Sequence, residues 1–267
     1  MKKTLIILTI ALALAFTFVG CKKESGDLTK IKVGVSPVPH AEIVEALKDD
    51  FKAEGLDVEV VTFTDYVQPN IALAEGDLDL NYFQHEPYLK EFCASRNLDL
   101  ANIGAIHLEP MGFYSNKVKS VDEFKDGDEI VIPNDPSNGA RALRLLEDAG
   151  LIKLSDYNSE TITEKDIVEN PNNLKITAVD AATVAKAYED VAGGVINSNY
   201  ALGVGLNPKT DPLFVEKTEG NPNANIIAAR TADKDNEAYQ KFVKVLKSEN
   251  AKKFINEKYD GSVIPVE

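Results

Sequence analysis

The fold class is decided by one stretch of the chain, Glu129-Ile130-Val131-Ile132-Pro133-Asn134-Asp135-Pro136-Ser137-Asn138-Gly139-Ala140-Arg141. Its apolar start predicts a strand over residues 129–132, and the apolar periodicity that follows predicts a helix over residues 138–149. The Pro, Asn and Asp residues between the two favour a turn and a helix cap. Strand, turn and helix in this order form the repeating unit of an α/β protein.

The same alternation extends toward the N-terminus. Strands are predicted at residues 31–35, 58–63 and 78–83, and helices at residues 40–54, 69–74 and 86–96. Each short apolar strand is therefore followed by a segment with helical periodicity. This pattern predicts a largely parallel sheet that is covered by helices on both faces.

Toward the C-terminus the pattern restarts. Extended segments are predicted at residues 111–115, 175–177, 194–197 and 225–229, and helices at residues 181–190, 237–246 and 251–259. The first and the last of these extended segments flank the middle of the chain, which indicates two crossover segments between the lobes of a hinge-closing protein. We expect lobe 1 at residues 28–110 plus 226–267 and lobe 2 at residues 111–225.

The N-terminus carries an export signal. Two lysines precede an apolar run over residues 4–19, which is short for a membrane-spanning helix and typical of a secretory signal. The run ends in Phe18-Val19-Gly20-Cys21, which resembles the lipobox of bacterial lipoproteins. The prediction is a signal peptide at residues 1–20, lipidation at Cys21 and a polar lipidated tether at residues 21–27. The alternative is an ordinary signal peptide that happens to contain this cysteine.

Charge and cysteine content limit the partners and the covalent structure. The formal net charge is −14 and becomes −16 once the two N-terminal lysines leave with the signal. Such an acidic surface repels phosphates, so we expect no nucleic-acid partner and contact with a membrane only through the lipid anchor. The chain has two cysteines, and lipidation of Cys21 leaves Cys93 without a second thiol, so no intrachain disulfide is predicted. We expect a monomer.

Candidate binding residues follow the predicted strands. Ligands of open α/β lobes bind beyond the carboxyl ends of the strands, where this chain places aromatic, guanidinium and carboxamide groups. The candidates are Tyr66, Phe83, His85, Tyr88, Arg141, Asn197 and Asn225. The guanidinium suits a carboxylate, the carboxamide oxygens suit an ammonium group, and the aromatic rings suit an apolar tail. The set therefore favours a zwitterion with an apolar side chain.

Each candidate also has a structural interpretation. Phe83 and Tyr88 could belong to the core, and Arg141 could be a surface side chain. Asn138 is equally explained as a residue of a helix cap. His85 could be a hydrogen-bonded structural histidine.

Several segments together resemble the NlpA-type methionine-binding lipoproteins, which are receptors of a methionine ABC importer. The distinctive stretches are Asp65-Tyr66-Val67-Gln68-Pro69-Asn70, Phe83-Gln84-His85-Glu86-Pro87-Tyr88, Pro133 to Leu143, Val168-Glu169-Asn170-Pro171, Ile196-Asn197-Ser198-Asn199-Tyr200-Ala201 and Asn225-Ile226-Ile227. The similarity runs from Lys32 to the C-terminus, so it covers nearly the whole mature chain.

The resemblance implies a two-lobed, periplasmic-binding-protein-like fold (type II) with L-methionine in the cleft between the lobes. It implies that Tyr66, Phe83, His85 and Tyr88 form the side-chain pocket. It also implies Arg141 as the carboxylate clamp, with Asn197, Asn225 and Asn138 as polar contacts. The partners that it implies are the permease and ATPase of an ABC importer, and the location is the extracytoplasmic face of the cell membrane. Some family members bind a methionine-containing dipeptide, so that ligand stays open, as does another amino acid.

Three other functions remain as alternatives. An enzyme is disfavoured because no Gly-x-Ser-x-Gly motif, phosphate-binding Gly-rich loop or dinucleotide fingerprint is present, and no cofactor is predicted. A metal receptor would use His40, His85 and His107 with an acidic partner. An adhesin or purely structural role is favoured only by the surface location.

Overall fold

The computed structural model describes residues 28–159 and 161–266. The predicted signal peptide, the lipidation site Cys21 and the tether lie outside the described residues. Among the helices of the described residues, none has the length and apolar character that crossing a membrane requires.

The elements alternate along the chain as α/β patterning requires. The strands of the described residues are β1 (Thr29–Val35), β2 (Leu56–Thr62), β3 (Leu80–His85), β4 (Leu100–Leu108), β5 (Gly112–Tyr114), β6 (Glu129–Pro133), β7 (Lys153–Leu154), β8 (Ile167–Glu169), β9 (Lys175–Val179), β10 (Gly193–Ile196), β11 (Phe214–Val215), β12 (Ala224–Arg230) and β13 (Ile264–Pro265). Their helices are α1 (Glu42–Ala46), α2 (Lys48–Ala53), α3 (Gln68–Glu75), α4 (Glu86–Arg96), α5 (Pro136–Asp148), α6 (Ala181–Ala187), α7 (Ser198–Gly203), α8 (Glu237–Leu246) and α9 (Glu249–Tyr259). Single helical turns lie at Pro37–Ala41, Val121–Glu123, Glu164–Asp166 and Thr231–Asp233.

The first sheet has the strand order β13-β4-β12-β3-β1-β2. Strands β2, β1 and β3 are parallel, whereas β12 runs antiparallel to β3 and β4, and β13 antiparallel to β4. Helices α8 and α9 pack on this sheet, where Phe242 stacks on Phe51 of α2 with ring centroids 4.8 Å apart. We call the part of the chain built on this sheet the first lobe.

The second sheet has the strand order β11-β5-β10-β6-β9 and belongs to the second lobe. Strands β10, β6 and β9 are parallel, while β5 is antiparallel to both of its neighbours. Helix α5 starts after β6 because Pro136 fits the first turn and Asp135 caps it, accepting the N–H of Asn138. This local geometry brings the polar start of α5 to the carboxyl end of the sheet.

The structure corrects three details of the expected architecture. Each sheet is mixed rather than largely parallel, since β12 in the first sheet and β5 in the second run antiparallel to their neighbours. Strand β4 was not predicted, because Asn102, Gly104 and His107 interrupt its apolar pattern. The helix expected over residues 40–54 is broken at Leu47, where φ is −103° and ψ is 13°. Asn225 pairs with His107 in the first sheet.

Candidate functional site

A small cavity lies between the two lobes and the segment that joins β4 to β5. It is lined by all eight side chains selected from the sequence: Tyr66, Phe83, His85, Tyr88, Asn138, Arg141, Asn197 and Asn225. It is also lined by four residues that were not selected: Gln84, Glu109, Ser198 and Asn199. The sequence thus predicted which residues come together, while their roles in binding stay predictions.

One wall of the cavity is aromatic. The ring of Tyr66 lies 5.8 Å from Phe83, 5.7 Å from Tyr88 and 4.9 Å from Tyr200, measured between centroids. Phe83 and Tyr88 also pack on Phe92 of α4, so they belong both to a buried cluster and to the cavity wall. The Tyr88 hydroxyl donates to the carbonyl of Tyr66 at 2.9 Å. Its ring is therefore fixed in place, and the wall presents apolar faces.

His85 is a neutral donor in this site. Its Nδ1 accepts the backbone N–H of Tyr88 at 3.2 Å, so the hydrogen is assigned to Nε2, which donates to Oδ1 of Asn138 at 3.1 Å. Burial, together with the nearby charge of Arg141, lowers the pKa of His85 to about 4. The imidazole is therefore uncharged at neutral pH. It connects β3 of the first lobe to α5 of the second.

The two carboxamides of the second lobe differ in what they offer a ligand. Asn138 is fully used by the protein, because its Oδ1 accepts from His85 and from Asn197, and its Nδ2 donates to Asp135. Oδ1 of Asn197 is buried and has no hydrogen-bond partner among the described residues. An unpartnered buried oxygen is costly unless a donor reaches it. Asn197 therefore has an available acceptor oxygen, and its bond to Asn138 orients the carboxamide.

Arg141 forms an ion pair deep in the second lobe. Its Nε donates to Oε1 of Glu216 at 2.7 Å and its Nη2 to Oε2 at 2.5 Å, while Nη2 also donates to the carbonyl of Glu109 at 2.8 Å. Burial alone would raise the pKa of Glu216, but the charge and hydrogen bonds of Arg141 outweigh it, so the net shift is downward. The pair keeps the guanidinium charged and oriented at the cavity.

Asn225 is connected to a buried cluster beneath the cavity. Its Oδ1 accepts from Nε2 of His40 at 2.9 Å, and the same Nε2 lies 3.3 Å from Oε1 of Glu109. Nε2 of His107 lies 2.7 Å from that oxygen, and the Tyr82 hydroxyl contacts Nδ1 of His107. The pairing of β12 with β4 shifts register between Asn225 and Ile226, which re-aims the asparagine side chain.

Hydrogen bonds join the lobes across the cavity. Besides the bond from His85 to Asn138, the Tyr66 hydroxyl donates to Oδ1 of Asn199 at 2.5 Å. The Tyr200 hydroxyl donates to the carbonyl of Thr64 at 3.3 Å. These three bonds connect residues that lie on opposite lobes, so the structure corresponds to a closed arrangement of the cleft.

Glu109 could have been found from the sequence by a signal that was not recognised. It follows the carboxyl end of β4, where ligand-contacting residues are expected, but β4 itself had not been predicted. Gln84 and Asn199 lie within stretches that resemble the lipoprotein family, next to predicted binding residues. Gln84 also forms a buried amide cluster with Asn70 and Asn81.

The residues of the metal alternative are only partly brought together. Among the described residues, His40, His107 and Glu109 place one ligand atom each within 4.8 Å of one another, whereas His85 lies elsewhere, against Asn138. A hydroxyl of Tyr82 that donates to Nδ1 of His107 leaves the hydrogen on Nε2, which then donates to Glu109. The cluster thus forms hydrogen bonds within itself, while Nδ1 of His40 is buried without a hydrogen-bond partner among the described residues. Burial raises the pKa of the Cys93 thiol, which disfavours a reactive thiolate.

Comparisons with known proteins agree in sequence and in structure. Residues 31–267 match the model of the NlpA lipoprotein family. The chain is 41% identical over 257 residues to the D-methionine-binding lipoprotein MetQ of Escherichia coli, covering 95% of this chain and 94% of the relative. It is 41% identical over 272 residues to the methionine-binding lipoprotein MetQ of Bacillus subtilis, covering 99% of each. It resembles a nutrient binding protein from Burkholderia cenocepacia bound to methionine, with 41% identity and a TM-score of 0.86, over 89% of this chain and 100% of that one.

These matches cover both lobes, and they confirm the two-lobed α/β fold and the resemblance stated from the sequence. They place the protein among substrate-binding lipoproteins rather than enzymes. With a family model that spans almost all of the mature chain, and relatives of similar length, the assignment does not depend on any single motif. The chain belongs to the NlpA lipoprotein family.

Proposed function

We propose that this protein captures L-methionine in the cavity between its lobes and delivers it to an ABC importer. The observation that carries the proposal is that one cavity combines an aromatic wall, a guanidinium group and an unpartnered carboxamide oxygen. These groups match the thioether, the carboxylate and the ammonium of a single amino acid. The names of the relatives, D-methionine-binding in Escherichia coli and methionine-binding in Bacillus subtilis, and the methionine-bound structure support methionine as the ligand.

The aromatic wall suits the methionine side chain. A thioether gains roughly 0.3–1.5 kcal/mol from each aromatic contact beyond simple burial. Burial of a side chain of this size contributes about 1.5–3 kcal/mol. Alanine has neither contribution, so it should bind roughly tens to hundreds of times more weakly.

The polar groups suit the backbone of a free amino acid. Arg141 is charged and oriented by Glu216, so its remaining N–H groups bind the ligand carboxylate. Oδ1 of Asn197 accepts from the ammonium group. Asn225, with its Oδ1 accepting from His40, contributes its amide group beside them.

Calorimetric titration tests the proposal directly. The mature protein, residues 21–267, is unfolded and refolded to remove any co-purified solute, then titrated with L-methionine, D-methionine, glycyl-methionine, leucine and alanine. Tight binding of L-methionine with much weaker binding of alanine is the expected result. Tight binding of D-methionine alone would assign the D-enantiomer as the ligand. Tight binding of glycyl-methionine alone would assign a dipeptide.

A metal receptor is the second candidate, favoured by the cluster of His40, His107 and Glu109. The same titration in the presence of a chelator distinguishes the two functions. Methionine binding that survives the chelator supports an amino-acid receptor. Binding of zinc or manganese by refolded protein that has no affinity for methionine would favour the metal function instead.

The location follows from the family and from the N-terminal motif. A lipoprotein is attached to the membrane by its acylated cysteine, which we propose to be Cys21. The receptor would then lie at the extracytoplasmic face of the cell membrane as a monomer. There it would pass its solute to the permease and ATPase of the importer.

A further inference from the structure

A buried carboxylate lies at the cavity, on the segment that joins the two lobes. Glu109 follows β4 and precedes β5, and only 5% of its surface is exposed. It lines the cavity, and its backbone carbonyl accepts from Nη2 of Arg141. The residue thus lies at the end of the cavity where the guanidinium is, on the part of the chain that crosses between the lobes.

The groups that donate to this carboxylate are all neutral. His107 donates through Nε2 at 2.7 Å, and His40 lies 3.3 Å from the same oxygen. The backbone N–H of Asn199 donates as well. Burial lowers the pKa of His107 to about 3 and that of His40 to about 4, so neither ring carries a charge at neutral pH. Among the described residues, no lysine or arginine forms an ion pair with Glu109.

The two carboxyl groups nearest Arg141, those of Glu216 and Glu109, are therefore compensated differently among the described residues. Arg141 is compensated by Glu216, with which it forms a two-point ion pair. Among the described residues, Glu109 has hydrogen bonds but no ion pair with a lysine or arginine, and burial raises the pKa of its carboxyl although the nearby charge of Arg141 acts against that rise. A buried carboxylate is expensive without a positive partner, and its interaction with one is strong where water is excluded.

We propose that Glu109 is a specificity-determining residue that selects solutes with a free α-ammonium group. The inference rests on the proposed binding of an amino acid and states which chemical group the site demands. Two contacts place Glu109 beside the residues proposed to bind the ligand. Its backbone carbonyl accepts from Arg141, and its carboxylate lies against Nε2 of His40, which also donates to Asn225. A ligand carboxylate at Arg141 therefore brings an α-ammonium group into the field of Glu109.

The chemical class of the ligand follows from the two charged groups, Arg141 and Glu109. Free amino acids satisfy both charges, whereas N-acylated methionine and the hydroxy-acid and des-amino analogues lack the cation. In glycyl-methionine the ammonium group is displaced by one residue, a span of roughly 3.8 Å between successive Cα atoms. Glu109 therefore favours the free amino acid over the dipeptide.

The test compares L-methionine with 4-(methylthio)butanoate, which lacks only the amino group, by calorimetry on the refolded mature protein. Leucine and 4-methylpentanoate form a second such pair. Each pair is measured on the wild type, on Glu109→Gln and on Glu109→Met, a second neutral variant that guards against one substitution failing to fold. Glu216→Gln is the matched control, because it removes a buried charge that acts on the carboxylate end of the ligand.

We expect the wild type to prefer L-methionine over its des-amino analogue by about 30-fold or more. The neutral variants at position 109 should lose most of this preference while binding the des-amino analogue as before. Glu216→Gln should weaken both compounds alike and keep the preference.

Two results would overturn the inference while leaving methionine binding intact: equal affinity of the wild type for both compounds, or an unchanged preference in the neutral variants. If the wild type binds neither pair, the proposed function fails, and this inference fails with it.

Discussion

Arg141 and Glu216 lie 75 positions apart in the chain, yet their side chains form two parallel hydrogen bonds of 2.7 and 2.5 Å. The arginine lies in the second turn of α5, and the glutamate directly follows β11, on the segment that returns to the first lobe. Glu216 also accepts the backbone N–H of Met111 at 3.1 Å. One carboxylate thus orients the guanidinium at the cavity and contacts both segments that cross between the lobes.

Replacement of Arg141 by alanine should weaken L-methionine binding by about 2–5 kcal/mol, because the ligand carboxylate would be buried without a partner. Arg144→Ala is the control on the same helix, since Arg144 donates to the carbonyls of Tyr157 and Ser159 instead. Calorimetry on both variants checks the prediction. Near-native affinity in Arg141→Ala would remove this residue from the site.

The aromatic wall should determine selectivity for the side chain. Phe83→Ala is expected to weaken L-methionine by about 1–3 kcal/mol and to leave alanine binding nearly unchanged, because only methionine reaches the wall. Phe92 packs behind the same wall without lining the cavity, so Phe92→Ala should lower the melting temperature but keep the ratio of the two affinities. A similar loss of selectivity in both variants would contradict this assignment.

Much of the site could be predicted because its residues follow strands that have clear apolar patterns. Phe83 and His85 end β3, and Asn197 follows β10, so the rule that ligands bind beyond strand ends selected them. Glu109 was not predicted because polar residues interrupt the apolar pattern of β4, the strand that it follows. The hydrogen bond from His40 to Asn225 joins residues 185 positions apart, which periodicity does not reveal.

The architecture was predictable to a similar extent. The helix predicted at residues 237–246 coincides with α8, since its apolar face repeats regularly. The short edge strands β11 and β13 have two residues each, too few to show a period. Antiparallel pairing of β12 could not be predicted either, because strand direction depends on how distant segments meet rather than on local sequence.

Stability should fall in mild acid, in part through His85. Its pKa is lowered to about 4 by burial, whereas an unfolded chain protonates it near its usual 6.5. The contribution of neutral His85 to the free energy of unfolding is therefore fully present above pH 6.5 and is lost as the pH falls toward 4. The slope should be about 1.4 kcal/mol per pH unit for this group. Denaturant unfolding of wild type and His85→Gln between pH 5 and 7.5 measures it, and parallel stability curves for the two proteins would refute the assignment.

The C-terminal helices should stabilise the first lobe specifically. Phe242 of α8 stacks on Phe51 of α2, so Phe242→Ala is expected to cost about 3–5 kcal/mol of unfolding free energy. Phe124→Ala is the control in the second lobe, where Phe124 stacks on Phe113. Hydrogen exchange should rise mainly in the lobe that carries the substitution. Exchange that rises equally in both lobes would argue against the division into lobes.

Attachment to the membrane should depend on Cys21. Cys21→Ala is expected to move the protein from the membrane fraction to the soluble fraction, because acylation would no longer be possible. Cys93→Ala is the control, since this second cysteine lies within the fold on α4. Cell fractionation and labelling with a radioactive fatty acid check both variants. Continued labelling of Cys21→Ala would place the lipid on another residue.

Under the proposed function, the hydrogen bonds of Tyr66 with Asn199 and of Tyr200 with Thr64 affect the rate at which solute is loaded. While they persist, the cavity is shut, so a solute enters only during the intervals when the lobes separate. The rate of loading should then reach a plateau as the solute becomes abundant, and that plateau is the opening frequency of the empty receptor. Release requires the same bonds to break, so an importer that separates the lobes would shorten the lifetime of the loaded receptor without having to contact the solute.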